Sequence, residues 1–199
     1  MESRRPRDKD KTLQDVLNAA RRLFSERGLH GTSIRDIEES SGVSKGLILH
    51  HFGTKENLYA AVQDLLTQEY IAMLAKQRQE SGNLQDTMAA TIRSSFTHIK
   101  NSNEYRRLAL WSYLEGQERN LELEQRFTSA LVESMRDGQK SGLVRQDIDA
   151  FLIPFIIRGT IEYWIRKEKL IQNMENSKMN KQGNLEEILV EALIKIFLK

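Results

Sequence analysis

Apolar residues recur at helical spacing over most of this chain. Leu13, Val16, Leu17, Ala20, Leu23 and Phe24 predict a first helix from about Asp10 to Arg27-Gly28. Ile34 and Ile37 give an apolar side to a short helix starting at Ser33, with Asp36 three residues on in a capping-box-like arrangement. Gly42 closes it, because a chain that leaves a helix sharply often needs a left-handed residue. Ser44 is the N-cap candidate of a third helix, roughly Ser44 to His50, with Val43 and Leu47 able to face inward. Thr54 caps a long helix running to about Gln79 through Leu58, Ala61, Val62, Leu65 and Ala72; Glu56 lies in its first turn, where negative charge suits the dipole. Ser81-Gly82-Asn83 is expected to break it.

The later helices follow the same logic. One carries Leu84, Met88, Ile92, Phe96 and Ile99; the next, after Asn101-Ser102-Asn103, carries Leu108, Trp111 and Leu114 and stops by Gly116. Another spans about Asn120 to Lys140, with Leu123, Phe127, Ala130, Leu131 and Met135, and ends at Ser141-Gly142. Asp147 is expected to cap a helix over about 148–172, kinked at Pro154, where an N–H is missing and the ring meets the preceding turn. Gln172 to Asn184 is polar and reads as a mobile loop. The final helix carries Leu185, Ile188, Leu189, Ala192, Leu193, Ile196 and Phe197. That stripe is wide for a terminal helix and is expected to be buried, plausibly against a second subunit.

Composition narrows the classes. The chain has 199 residues, enough to bury a core, and no cysteine, hence no disulfide framework and no thiolate metal site. The basic residues near Met1 are followed by no apolar run, so no secretory signal is expected. No stretch approaches the ~20 apolar residues of a membrane span; the longest apolar cluster, Phe151 to Ile157, is short and contains Pro154. Net charge is +2, and the excess sits on residues 1–11, with five Lys or Arg against three acids. Residues 1–9 read as disordered, first of all a solvated tail; the alternative is an arm that adds phosphate contacts, by analogy with homeodomain arms. The four histidines, His30, His50, His51 and His98, form no metal spacing with acids, and there is no G-x-S-x-G. Glu122-Leu123-Glu124 and Glu186-Glu187 read as solvated faces. No catalytic constellation, metal or cofactor is expected.

Two short helices joined by a tight Gly-containing turn describe a helix-turn-helix. The N-terminal residues of its second helix would enter the major groove of DNA. Ser44 stands at its start, and Lys45 can donate to guanine acceptors or to a phosphate. Gly46 lets the backbone come close, Leu47 could touch a thymine methyl, and His50 can bond a base or a phosphate. Arg35 could reach a base edge from the preceding helix. Thr32 and Ser33 can hold a phosphate at that helix's N-terminus.

The stretch resembles the DNA-binding end of TetR-family (tetracycline-repressor-like) transcriptional regulators. The matching pieces are Ala19-Ala20-Arg21-Arg22-Leu23-Phe24 with Gly28, Thr32-Ser33-Ile34-Arg35-Asp36-Ile37, Gly42-Val43-Ser44-Lys45-Gly46, and His51-Phe52 followed by Lys55-Glu56-Asn57-Leu58. Beyond these the chain is similar only in length and helical layout. The resemblance implies that Lys55 contacts a phosphate and that His51 lies near the DNA backbone. Two departures stand out. Leu49 takes the place of a frequent aromatic that can bond a phosphate, and Glu38 and Ser41 replace small residues packed near the turn. Glu38 is expected to turn outward or meet a cation, since an unpaired buried carboxylate is costly.

The expected fold is all-α, with about nine helices: a helix-turn-helix head over 10–70 (motif 33–52) and a helical ligand-binding and dimerisation body over 71–199. The resemblance implies a buried small-molecule site in the body, with Phe96, Trp111, Tyr113, Phe155, Arg158, Tyr163 and Trp164 as candidates. Trp and Tyr offer apolar area and one hydrogen-bonding tip, and Arg158 could meet an anion. It also implies a dimer built by the last two long helices, with Leu185, Ile188, Leu189, Ala192, Leu193 and Ile196 as candidates. The expected partners are a double-stranded DNA operator, an unknown small-molecule effector and a second copy, with no membrane, in the cytoplasm. The competing reading is a helical small-molecule binding protein or enzyme whose head no longer reads DNA. A protein–protein adaptor is a third.

Overall fold

The computed structural model describes residues 6–80, 84–117, 121–178 and 184–199. The expected break at Ser81-Gly82-Asn83 and the first five residues of the basic arm lie outside them. Nine helices form among the described residues: α1 (Pro6–Arg27), α2 (Ile34–Ser41), α3 (Lys45–Phe52), α4 (Lys55–Glu80), α5 (Leu84–Asn101), α6 (Asn103–Leu114), α7 (Leu121–Lys140), α8 (Leu152–Lys178) and α9 (Leu185–Phe197). The fold is all-α, as expected. α1 begins at Pro6 rather than near Asp10. A proline is well suited to a first helical position, where its missing N–H has no partner to lose.

The start of α8 corrects two expectations. Asp147 does not cap it; its carboxylate pairs with Arg145 (Nε to Oδ1, 2.6 Å), and that hydrogen bond holds its pKa down at about 2. Asp149 makes the turn instead. Its side chain accepts from Phe151 N (2.9 Å) and its carbonyl from Leu152 N (2.9 Å). α8 therefore opens at Leu152, and Pro154 falls in its first turn. No interior hydrogen bond is lost there, which removes the reason for a kink. The helix runs to Lys178, so the first part of the expected loop is helical; 179–183 lie outside the described residues.

The chain divides into two compact units, residues 1–69 with 102–123, and residues 70–101 with 124–199. In the first, α1 packs on α2 and α6, and α2 on α3. Val16, Ala20, Leu23, Phe24, Ile37, Ile48, Leu58, Tyr59, Val62 and Leu108 form one buried cluster. Phe24 and Tyr59 meet edge-on, 5.0 Å between centroids. Burial first, then the charge of Glu115, pushes the Tyr59 hydroxyl above its usual range.

α6 lies along the second half of α1, joined by a run of polar contacts. Arg21 pairs with Glu104, and also with Glu69 on α4 (2.9 Å). Arg107 donates to the carbonyls of Ser25 (2.6 Å) and Glu26 (2.9 Å), which near the C-terminus of α1 lack helical partners. The Glu115 carboxylate accepts from Leu29 N (2.8 Å) and His30 N (3.0 Å). Between these, Trp111 packs against Gly28, which has φ 72°; a Cβ there would lie 2.8 Å from the indole and 2.6 Å from Glu115. Only glycine fits that close approach and that backbone conformation together.

In the second unit α5 packs on α8 and α9. Met88, Ile92, Phe96, Ile99, Val132, Ile153, Ile161, Val190, Leu193 and Phe197 are buried there. Lys100 pairs with Glu168 (3.4 Å) on α8 and with Glu186 on α9, and Arg93 pairs with Glu191. The last residues are held by a short antiparallel pairing, Arg145 N to Phe197 O (3.1 Å) and Lys199 N to Leu143 O (2.9 Å). Among the described residues no helix is long and apolar enough to cross a membrane.

Candidate nucleic-acid interface

α2, the turn and α3 are built largely by local bonds. Ser33 and Asp36 form the expected capping box. Asp36 N donates to Ser33 Oγ (3.1 Å), and Ser33 N donates to Asp36 Oδ2 (2.8 Å). The Ser33 hydroxyl also donates to that carboxylate (2.7 Å), which lowers the Asp36 pKa. Gly42 closes α2 in the left-handed region (φ 71°), its N–H reaching Glu38 O at 2.9 Å. Val43 N then donates to Ser41 Oγ (3.2 Å).

The start of α3 differs from the expected serine cap. Ser44 occupies the N-cap position with an extended backbone, but its hydroxyl makes no capping bond. The carboxylate of Glu38 takes the role, accepting from Lys45 N at 2.8 Å. Glu38 thus neither points away nor seeks a cation. It uses the free N–H groups and positive end of the helix dipole.

The proposed DNA-contacting residues fall into two groups. Arg35, Ser44, Lys45, Gly46 and His50 are exposed. Arg35 is held by Glu39 one turn along (3.1 Å). His50 packs edge-on against half-buried His51, 5.3 Å between rings. A Cβ on Gly46 would meet nothing within 4 Å, so backbone approach is open there. The second group is engaged within the chain itself. Thr32 is a correction: it is 1% exposed, and its hydroxyl lies 2.9 Å from Gly28 O, so it closes the end of α1 and does not present itself to a phosphate. Ser33 is exposed, but its hydroxyl is engaged with Asp36, and the anion at the N-terminus of α2 is the chain's own. Leu47 is half-buried against the head core, with Ile48 beneath it fully buried. Lys55 donates to Leu29 O (2.7 Å) and Thr32 O (2.8 Å), so two of its three donors hold the α1–α2 connection.

The seven ligand candidates divide between the units, Trp111 and Tyr113 in the first and the other five in the second. Trp111 packs in the first unit against Gly28. Phe96 is buried in the core of the second unit; Tyr113, Phe155 and Tyr163 are 72%, 50% and 59% exposed. Trp164 lines a small cleft of about 170 Å³ with Glu168, Gln172 and Glu186. Arg158 pairs with Glu162 (2.9 Å). The polar centre of this unit lies at residues the pattern missed. The buried Tyr70 donates to Ser95 Oγ (2.9 Å), lies tilted against His98 at 5.0 Å and meets Phe127 edge-on at 5.5 Å. Burial raises the Tyr70 pKa, against the Ser95 bond and Arg158, which lower it. Its position on a long, weakly patterned helix left no signal to single it out.

The dimerisation candidates also divide. Leu193 is a correction: it is 3% exposed and belongs to the chain's own core. Leu185 and Leu189 are half-buried, while Ile188, Ala192 and Ile196 stand free one turn apart. The larger exposed apolar face is on α8, where Leu152, Phe155, Ile156, Tyr163, Leu170 and Met174 are exposed. The apolar run from Phe151 to Ile157 signalled only half of it.

Residues 16–62 match the family described as bacterial regulatory proteins, tetR family, and residues 88–193 match the tetracyclin repressor-like C-terminal domain. The HTH-type transcriptional repressor AcnR of Corynebacterium glutamicum is 45% identical over 69 residues, 35% of this chain and 35% of the relative's own length. The chain thus spans about a third of that repressor. The HTH-type transcriptional regulator UidR of Escherichia coli is 33% identical over 147 residues, 69% of this chain and 71% of the relative. Among solved structures, AibR in complex with isovaleryl coenzyme A and operator DNA superposes with a TM-score of 0.67 at 17% identity, covering 94% of this chain and 98% of the other. Two adjacent family matches, a helix-turn-helix assembled by its own caps and a full-length likeness of fold converge on one conclusion: the chain belongs to the tetR family of bacterial regulatory proteins.

Proposed function

We propose that this protein is a ligand-responsive transcriptional repressor of the bacterial cytoplasm that binds a palindromic DNA operator as a homodimer. The observation that carries the reading is the exposed first turn of α3, with Ser44, Lys45 and Gly46 presented above a closed core. Phosphates would be met by Ser44, His50 and His51, and base edges by Lys45, Gly46 and Arg35. Two heads would sit about one DNA turn apart, ~34–36 Å. The C-terminal matches and the AcnR repressor support the same reading.

Dimerisation would use α8 as well as α9. An apolar face of that length on a terminal pair of helices suits a symmetric interface, in which each exposed residue is buried twice. An effector would enter the second unit and meet Tyr70, Ser95, His98 and Arg158. AibR, solved with an acyl coenzyme A and operator DNA together, supports that pairing of ligands. Along the chain, α4 begins in the head unit and ends in the other, and α6 of the head unit follows α5 and precedes α7 in sequence. Both helices are thus continuous with ligand-bearing segments. A coupling of ~1–3 kcal/mol through them is ordinary. Selection of bound fragments from random duplex DNA tests the reading. Enrichment of one inverted repeat, with affinity falling steeply as salt rises, is the expected result; a folded dimer that enriches nothing, with or without small-molecule extracts, sinks it.

A further inference from the structure

Glu38 stands where the two helices of the DNA-reading motif meet. Its backbone carbonyl accepts from Gly42 N (2.9 Å) and so ends α2. Its side chain accepts from Lys45 N (2.8 Å), seven residues on, and so begins α3. No other residue of the turn has both roles. Ser44 occupies the capping position, but its hydroxyl makes no cap bond. Leu47 N and Ile48 N both bond Ser44 O, at 2.9 and 3.0 Å, so the first turn of α3 is closed by backbone and by one carboxylate. A hydroxyl would have satisfied the same N–H without a charge. The carboxylate instead places a negative charge at the end of the helix that faces DNA phosphates in the proposed complex.

We propose that Glu38 is the positioning residue of the reading helix. Its carboxylate holds the first turn of α3, and hence Lys45 and Gly46, in the orientation that reads base edges. It also opposes binding to phosphate in general. The inference rests on the proposed DNA-binding function. Two consequences follow from the chemistry. Losing the acceptor loosens the first turn and blurs the choice of sequence. Losing only the charge keeps the choice and strengthens binding to every duplex alike, because backbone attraction carries no sequence information.

Two full-length variants separate these effects. Glu38→Gln keeps an oxygen acceptor without the charge; Glu38→Ala removes both. Amide exchange at Lys45, measured without DNA, is expected to match wild type in Glu38→Gln and to be about tenfold faster in Glu38→Ala, the factor that one lost cap bond is worth. The ratio of affinities for the selected repeat and a base-scrambled duplex is expected to fall about tenfold in Glu38→Ala. It should stay unchanged in Glu38→Gln, while both duplexes bind a few-fold more tightly, most clearly at low salt. A role confined to stability would leave that ratio unmoved. A wild-type preference that Glu38→Ala retains overturns the proposal alone, as does a Glu38→Gln variant that loses it equally. A wild-type protein without any sequence preference overturns the DNA-binding reading and this proposal with it, whatever the exchange at Lys45.

Discussion

The two units bury their surfaces to different degrees. In the first, the large apolar residues of α1 to α3 close over one cluster, and the polar ends of α1 and α2 are tied down by Glu115, Arg107, Lys55 and Asp36. Among its described residues the exposed large hydrophobics, Leu110, Tyr113 and Leu114, are confined to α6. In the second, α8 leaves six large apolar side chains exposed, and α9 leaves Ile188 and Ile196. A unit that must hold a small motif in one geometry satisfies its own polar groups. A unit with a long exposed apolar face is proposed to be completed by its own copy.

The largest effect should come from breaking the second half of that comparison. Phe155→Asp, at a half-exposed position, should leave helicity unchanged and convert dimer to monomer. Each substitution acts twice in a symmetric interface: the exposed half of each phenyl is worth only ~0.75–1.5 kcal/mol, but two buried carboxylates add a larger desolvation cost, and together they raise the dimer Kd at least about a hundredfold. Sedimentation of the variant as an intact dimer would remove α8 from the interface. Next, Gly28→Ala attacks the first unit. A left-handed alanine costs ~1–2 kcal/mol, and the displacement of Trp111 and Glu115 adds to it, so a loss of about 3 kcal/mol is expected in denaturant unfolding followed through the head amides. An unchanged midpoint would mean that α6 is not clamped on α1.

Smaller effects sharpen the same contrast. Glu115→Ala removes an ionised acceptor from two backbone amides and should destabilise the head by ~1.5–3 kcal/mol, with faster exchange at Leu29 and His30; protection that persists there would argue against the clamp. Least of all, Asp36→Asn should weaken the capping box in a pH-dependent way. The Asp36 pKa is lowered in the folded chain by the Ser33 hydroxyl and N–H. Its contribution is therefore complete above the ordinary aspartate range and is lost as pH falls through the depressed folded value. The stability gap between wild type and Asp36→Asn should close on acidification below that range; a gap constant with pH would contradict the bond.

Much of the head was legible because its structure is local. The Ser33–Asp36 box, the left-handed Gly42 and the apolar positions of α1 and α4 are set by residues three to four apart, where side-chain reach and helix geometry determine the outcome. The same reasoning failed at Asp147 and Pro154, where Asp149 started the helix four residues later than expected. It missed the Thr32 hydroxyl turning back to the carbonyl four residues before it, and Lys55 reaching carbonyls more than twenty residues away, which no spacing rule identifies. Trp111 and Leu193 fit the pattern of a ligand aromatic and of an interface leucine equally well as that of core.

The sequence by itself determined the helices, the turn and the membership of the motif, because each depends on neighbours along the chain. Tertiary structure alone decided which residues the motif exposes. It brought Glu115 and Arg107 to the end of α1, more than eighty residues away in sequence, and set Glu38 on Lys45 N across the turn. An unfilled hydrogen bond at a helix end states only that a partner is needed. Which residue arrives depends on how the helices pack.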